Sequence, residues 1–284
     1  MSLHFTKMEG AGNDYVYVDG TREHIPAEEK PELVRKLSDR HFGIGGDGVI
    51  FINPGRKADF EMEMYNADGS RGEMCGNGIR CVGKYVFDRG MVTDREFTVE
   101  SFGQVHSLSI MELDENRKAA VLRVNMGKPI LKAELIPVKA DTEEVVDAPI
   151  AVDGEMGYRM TCVSMGNPHA VVFVDDVDHF DVAGIGPMFE HHERFPKRTN
   201  TEFVQVVDRS HVKMRVWERG TGETLACGTG CCASAVACIL NGRTEDTVEI
   251  QVLGGRITIT WDRASGEIFM TGPAREVFTG EYDD

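Results

Sequence analysis

Cys75 in Met74-Cys75-Gly76-Asn77-Gly78 and Cys227 in Ala226-Cys227-Gly228-Thr229-Gly230 share the pattern Cys-Gly-x-Gly, and they stand 152 positions apart (75 to 227) in a chain of 284 residues. Each precedes a stretch with helical spacing. That predicts a thiol at a helix N-terminus, where unpaired N–H groups and the helix dipole favour a thiolate. A thiolate near neutral pH is a base and a neighbouring thiol is an acid, so two such groups on opposite faces of one carbon could invert its configuration. The glycines let the backbone approach a ligand closely, so N–H groups of Gly76, Asn77, Gly228 and Thr229 could hold a carboxylate. The same donors would stabilise charge developing on that carboxylate as a carbanion forms.

Other readings of these residues stay open. Cys81, Cys162, Cys231, Cys232 and Cys238 read as packing residues. A zinc site from Cys227, Cys231 and Cys232 would lack a C-x-x-C pair and a nearby H-x-x-x-H, so no metal is expected. A redox dithiol is the stronger alternative, because thiols close enough to share a carbon can also oxidise to a disulfide. Glu218-Arg219 precedes Cys227 by about eight residues, and Asn66 holds the corresponding place before Cys75. The run Gly43-Ile44-Gly45-Gly46-Asp47-Gly48 lies ahead of a strand and opens no helix, which makes it a turn rather than a phosphate-binding loop.

The elements that must position these groups also recur. At the offset of the cysteines, Met64-Tyr65-Asn66 pairs with Val216-Trp217-Glu218 and Gly103 with Gly255, while Asn13 pairs with Asn167 at an offset of 154. Common order and nearly common offset predict a duplicated domain, with a period too long for a solenoid of ~20–50 residues. The expected fold class is α+β: two pseudo-symmetric lobes, each a barrel-like sheet around a central helix, related by a pseudo-twofold with a site between them. The first lobe is expected over residues 1–127 and the second over 128–272, with 273–284 returning to the first. Alternating or β-branched runs predict strands at 5–8, 15–18, 49–52, 60–65, 97–100, 105–111, 120–125, 170–174, 201–207, 211–217, 248–252, 256–260 and 267–271. Ile79, Val82 and Val86 give apolar helical spacing after Cys75, with Gly90 as the stop. A second helix is expected from Gly230 to Leu240, ended by Asn241-Gly242, and a third from Lys30 to Asp39.

Composition narrows the class of partner. The charge of −16, from 31 basic against 47 acidic residues, with no Lys/Arg cluster, makes nucleic acid an unsuitable partner. The apolar fraction of 41% and apolar runs of only a few residues, such as Ala170 to Val174, predict a globular protein without a membrane span. Residues 1–10 lack the basic and apolar regions of a secretion signal, and seven cysteines are an odd number, so a reducing cytoplasm is the expected compartment.

Taken together, several motifs resemble those of the diaminopimelate epimerases. They are Lys7 to Asp14, Tyr65 to Ser70, Met74 to Cys81, Gly166-Asn167-Pro168-His169, Arg198-Thr199-Asn200, Trp217 to Gly220 and Ala226 to Gly230, and the likeness covers essentially the whole chain. It implies cofactor-independent interconversion of LL- and meso-2,6-diaminopimelate, serving lysine and peptidoglycan precursor synthesis, and often a homodimer. Cys75 and Cys227 would then exchange roles as proton donor and acceptor, with His169 tuning one of them. Gly76, Asn77, Gly228 and Thr229 would hold the reacting carboxylate. Glu218 and the Arg219 backbone would receive the reacting ammonium, while the Arg219 side chain, Asn13, Asn66, Asn167 and Asn200 would recognise the distal end of the substrate. A planar guanidinium suits that end because it can bind both carboxylate oxygens. Two positions depart from the pattern: Gly48 stands where some members have glutamine, and Phe278 where the dimer segment usually has tyrosine. Proline and hydroxyproline racemases share the fold and the two-thiol logic but typically carry histidine where Asn77 stands.

Overall fold

A computed structural model describes residues 2–72, 74–152 and 154–283 of the chain. The chain divides into two compact units, Met1–Asn125 with Thr271–Asp284, and Met126–Met270. The expected α+β class holds, and each unit is a mixed sheet around one buried helix.

In the first unit the strand Ser2–Gly10 pairs antiparallel with Arg275–Asp283 on one side and with Asn13–Asp19 on the other. Asn13–Asp19 runs parallel to Gly48–Pro54 across a connection that carries helix α1 (Lys30–Ser38). Gly48–Pro54 is antiparallel to Phe60–Asn66, and helix α2 (Gly76–Asp88) supplies the next parallel crossover to Glu96–Ser101. Gln104–Leu113 and Ala119–Asn125 complete the order as antiparallel neighbours. The Ala274 N–H donates to the Ala120 carbonyl at 3.4 Å, so the sheet curls back toward its own first strands.

The second unit repeats these relations in the same sequence. Glu155–Ser164 pairs antiparallel with Pro168–Phe173, which runs parallel to Asn200–Val206 across helix α3 (Val182–Glu190). Asn200–Val206 is antiparallel to His211–Glu218, and helix α4 (Gly228–Leu240) leads to the parallel strand Thr247–Val252 and its antiparallel neighbour Gly255–Trp261. Two parallel crossovers at matching places in each unit are the structural form of the repeat seen in the sequence.

Helix α4 is small or apolar nearly all round, whereas α2 also buries Asn77, Arg80 and Lys84, with Arg80 donating to Asn77 Oδ1 at 2.9 Å and Lys84 to the Ala119 carbonyl at 2.6 Å. Residues 76–86 of α2 and 228–238 of α4 are all buried, as a helix enclosed by a sheet must be. Gly83 shows how tightly α2 fits: a Cβ there would lie 2.7 Å from methyl groups of both Leu108 and Leu122. Both helices stop in the same way. The N–H of Gly90 bonds to Phe87 and that of Met91 to Val86; the N–H of Gly242 bonds to Ile239 and that of Arg243 to Cys238. With φ of 68° at Gly90 and 65° at Gly242, each is a left-handed glycine stop of the Schellman kind.

Several elements lie outside what the sequence periodicity predicted. Helix α3 contains Gly184, Gly186 and Pro187, residues that weaken a helix in isolation, yet Asp181 caps it by accepting the Gly184 N–H at 2.9 Å. Gly186 is required by packing, since a Cβ would sit 2.5–2.7 Å from three atoms of Trp217. The strands Ala148–Val152, Glu155–Ser164 and Arg275–Asp283 also formed without a clear alternating pattern. Among the described residues, no helix is long and apolar enough to cross a membrane.

Candidate active site

Each of the paired cysteines is the N-cap of its central helix. Cys75 has φ −129° and ψ 108°, and Cys227 has φ −123° and ψ 111°, the extended geometry of a cap residue. The Gly78 N–H donates to the Cys75 sulfur at 3.2 Å, and the Gly230 N–H donates to the Cys227 sulfur at 3.4 Å. A thiol therefore fills the place that a serine hydroxyl or an aspartate carboxylate usually takes. The first backbone bonds within the helices are Ile79 N–H to Cys75 carbonyl and Cys231 N–H to Cys227 carbonyl, both 2.9 Å. The N–H groups of Gly76, Asn77, Gly228 and Thr229 precede those bonds and are the helix-start donors suited to an anion.

Around Cys75 the first unit builds a braced amide. The Cys75 thiol donates to Asn13 Oδ1 at 3.0 Å, and Asn13 Nδ2 donates to Asp47 Oδ2 at 2.5 Å. Asp47 also accepts the Asp14 N–H at 3.2 Å and an Arg40 N–H at 2.9 Å. Asp14 bridges Lys7 at 2.5 Å and Arg40 at 2.7 Å. Partial burial pushes its carboxyl upward, but the bonds from Arg40 and Lys7 prevail and hold it below the usual range. The predicted turn at 43–48 thus anchors Asn13. Asn77 is buried, and its side chain accepts from Arg80 at 2.9 Å, so only its backbone is suited to a ligand. Asn66 is exposed and bonds to Ser70 Oγ at 3.0 Å, with Gly48 as its cross-strand partner. A Cβ at Gly48 would stand 2.0 Å from the Tyr65 carbonyl oxygen, so a side chain there, glutamine included, does not fit this backbone.

The second unit gathers its polar groups at the ends of three adjacent strands and the start of α4. His169 and Asn200 are register partners, and Thr201 faces Trp217. Asn200 Oδ1 accepts the Arg219 N–H at 2.8 Å, and its Nδ2 donates to the Pro168 carbonyl at 3.2 Å, so Asn200 joins the two turns that carry Asn167 and Glu218. Asn167 Oδ1 lies 3.0 Å from His169 Nε2. Glu218 accepts from the Thr224 hydroxyl, and one Arg219 guanidinium N–H donates to the Lys197 carbonyl at 3.0 Å. Thr229 Oγ1 is 3.5 Å from the Cys227 sulfur.

Burial, followed by the nearby carboxylates of Glu218 and Glu202, pushes the Cys227 thiol well above its ordinary value. The Thr229 hydroxyl and Gly230 N–H oppose that rise without cancelling it. The thiolate-favouring helix end expected from sequence is present at Cys227 and is outweighed there. Burial also pushes Cys81, Cys162 and Cys238 up to about 12, in keeping with their reading as packing residues.

Sequence reasoning missed two buried carboxylates. Glu190 accepts from Trp217 Nε1 at 2.7 Å, the Gly220 N–H at 2.9 Å and Arg198 at 3.0 Å, which fixes the turn holding Glu218 and Arg219. Glu202 lies fully buried in Asn200–Val206, its Oε1 2.7 Å from His169 Nδ1, while its Oε2 has no hydrogen-bond partner. A buried acceptor without a donor costs about 1–3 kcal/mol. The available signal was an acidic residue directly before the apolar pair Phe203-Val204 in a predicted strand. Among the described residues, no group of three or more His, Cys, Asp or Glu side chains could hold a metal ion.

Two repeated mixed-sheet units, each around one central helix, make up a fold shared with a class of solved structures. These include a probable proline racemase of Agrobacterium radiobacter K84 with bound carbonate, at TM-score 0.72 and 14% identity over 99% of this chain and 93% of that one. A phenazine biosynthesis protein of the PhzF family from Bacillus anthracis matches at TM-score 0.71 and 18% identity over 100% of both chains. At such identities the likeness is one of fold. The family itself follows from sequence: residues 5–132 and 161–277 match the diaminopimelate epimerase family, and the chain belongs to it. Curated diaminopimelate epimerases from Acetivibrio thermocellus and Leptospira biflexa are 53% and 52% identical, covering 99% and 100% of this chain and of their own lengths.

Proposed function

We propose that this chain interconverts LL- and meso-2,6-diaminopimelate, one thiol removing the α-proton and the other delivering a proton to the opposite face. The observation that carries this reading is the repeated N-cap thiol, each sulfur receiving a backbone N–H, in a chain about half identical over its full length to curated diaminopimelate epimerases. Gly76, Asn77, Gly228 and Thr229 hold the reacting carboxylate through backbone N–H groups, whose fixed dipoles stabilise the carbanionic charge. Glu218 and the Arg219 backbone, through its carbonyl oxygen, receive the reacting ammonium. The Arg219 side chain, Asn13, Asn66, Asn167 and Asn200 recognise the distal end. His169 tunes the protonation of a thiol. No cofactor enters this scheme, because the reacting carboxylate itself takes up the charge. The reaction feeds lysine and peptidoglycan precursor synthesis.

Incubation with the LL isomer in D2O should place deuterium at an α-carbon, read by mass spectrometry. Absence of exchange with fully reduced protein would reject the reading. Cys75→Ala and Cys227→Ala should each lower turnover by ~10³-fold or more, since each removes an obligatory proton carrier. Proline and hydroxyproline should not be racemised; turnover of either would favour the racemase alternative. The seven cysteines are free thiols, which suits a reducing cytoplasm. A homodimer is part of the proposal, formed through the exposed Val277 and Phe278 of the C-terminal strand. Sedimentation analysis of the Phe278→Ser variant should show monomer where the wild type shows dimer.

A further inference from the structure

The two units differ in one group that lies against the first turn of the central helix. In the first unit a Cβ added at Gly78 would lie 2.7 Å from the Ile50 Cδ1 methyl. In the second, a Cβ added at Gly230 would lie 2.6 Å from Glu202 Oε1. Ile50 and Glu202 are 152 positions apart, the spacing of the thiols, and both belong to the strand reached by the first parallel crossover of their unit. One slot over the N-cap turn thus holds a methyl group in one half and a carboxylate in the other.

Packing does not account for the carboxylate, because the first half fills the same slot with an aliphatic side chain. Glu202 and His169 are both fully buried, and Glu202 Oε2 lacks a donor. His169 Nδ1 lies 2.7 Å from Oε1, and the other ring nitrogen faces Asn167 at 3.0 Å. A buried anion beside a thiol disfavours the thiolate. The titratable groups facing this corner include Glu218 on His211–Glu218, His169 on Pro168–Phe173 and Cys162 on Glu155–Ser164. Cys75 instead meets the neutral amide of Asn13, with Tyr17 and Cys81 among its titratable neighbours.

We propose that Glu202 is a positioning residue that makes the two thiols unequal: lying against the first turn of α4 and fixed by His169, it keeps the proton on Cys227 in the free protein. The form with Cys227 as acid is then the one that meets substrate. This rests on the reading of Cys227 as a proton carrier, and it concerns which of the two thiols is protonated first. Burial and the Glu218 charge act in the same direction on Cys227, so Glu202 contributes part of the asymmetry.

The test is the pH profile of alkylation by iodoacetamide, followed separately for Cys75 and Cys227 by peptide mass spectrometry of the folded full chain. In Glu202→Gln, which keeps the shape and removes the charge, the Cys227 midpoint should fall by about one pH unit, making it roughly tenfold more reactive below the midpoint. The Cys75 midpoint should not move. An unmoved Cys227 midpoint would overturn the proposal, as would equal shifts at both cysteines, which indicate general loosening. Glu202→Ile copies the first half of the chain and gives the same readout if the glutamine variant does not fold. Because alkylation is read without turnover, failure here is distinct from failure of the epimerase reading, which Cys227→Ala tests.

Discussion

Asn13 is the residue on which the first thiol's surroundings turn, because its amide has two faces and Asp47 selects one. With Nδ2 held by Asp47 Oδ2 at 2.5 Å, Oδ1 is left to accept from Cys75. Hydrogen bonds to a charged group are worth about 1.5–3 kcal/mol, so Asp47→Ala frees the amide to rotate and should lower turnover at least about tenfold. Circular dichroism should remain that of the wild type. Gly48 gives a prediction of stability instead. Gly48→Gln would bring a Cβ within 2.0 Å of the Tyr65 carbonyl oxygen, and backbone displacement of this kind costs about 1–3 kcal/mol or more. A urea midpoint equal to the wild type would refute it. The two cysteines were legible in the sequence because each is a copy of the other. Glu202 was not, since a lone acidic residue in a strand reads as a solvent-facing position until the fold shows that both faces of that strand are covered.

At the scale of elements, a helix start in this chain is defined by a thiol and a helix stop by a left-handed glycine, and both devices occur twice. The predicted central helices and strands formed because their apolar spacing agrees with the burial that the sheet imposes. Helix α3 was illegible for the opposite reason: Gly184, Gly186 and Pro187 oppose a helix locally, and the Trp217 ring and the Asp181 cap stabilise one through contacts distant in sequence or outside the helix. Gly186→Ala should therefore destabilise although alanine is the better helix former. Overpacking against Trp217 is expected to cost about 1–3 kcal/mol. It should also loosen Glu190 from the turn at Gly220, raising KM more than it lowers kcat.

At the scale of the whole molecule, buried thiols make stability depend on alkali. Cys81, Cys162 and Cys238 hold their protons to about 12, whereas an unfolded chain releases them near the ordinary value of 9.0. Their contribution is full below pH 9 and is lost as pH rises from 9 toward 12. At pH 10 the loss is about 1.4 kcal/mol per thiol. Urea unfolding at pH 8 and pH 10 should show it, and replacing all three with alanine should flatten the difference. The cysteine caps carry a consequence for any electrophile that reaches the chain. A reagent that modifies Cys75 or Cys227 blocks a thiol proposed to carry a proton and also strips Gly78 or Gly230 of its acceptor, so inactivation and fraying of the helix end should be one event. Deuterium uptake at those two amides would record the chemistry of the side chain as motion in the backbone.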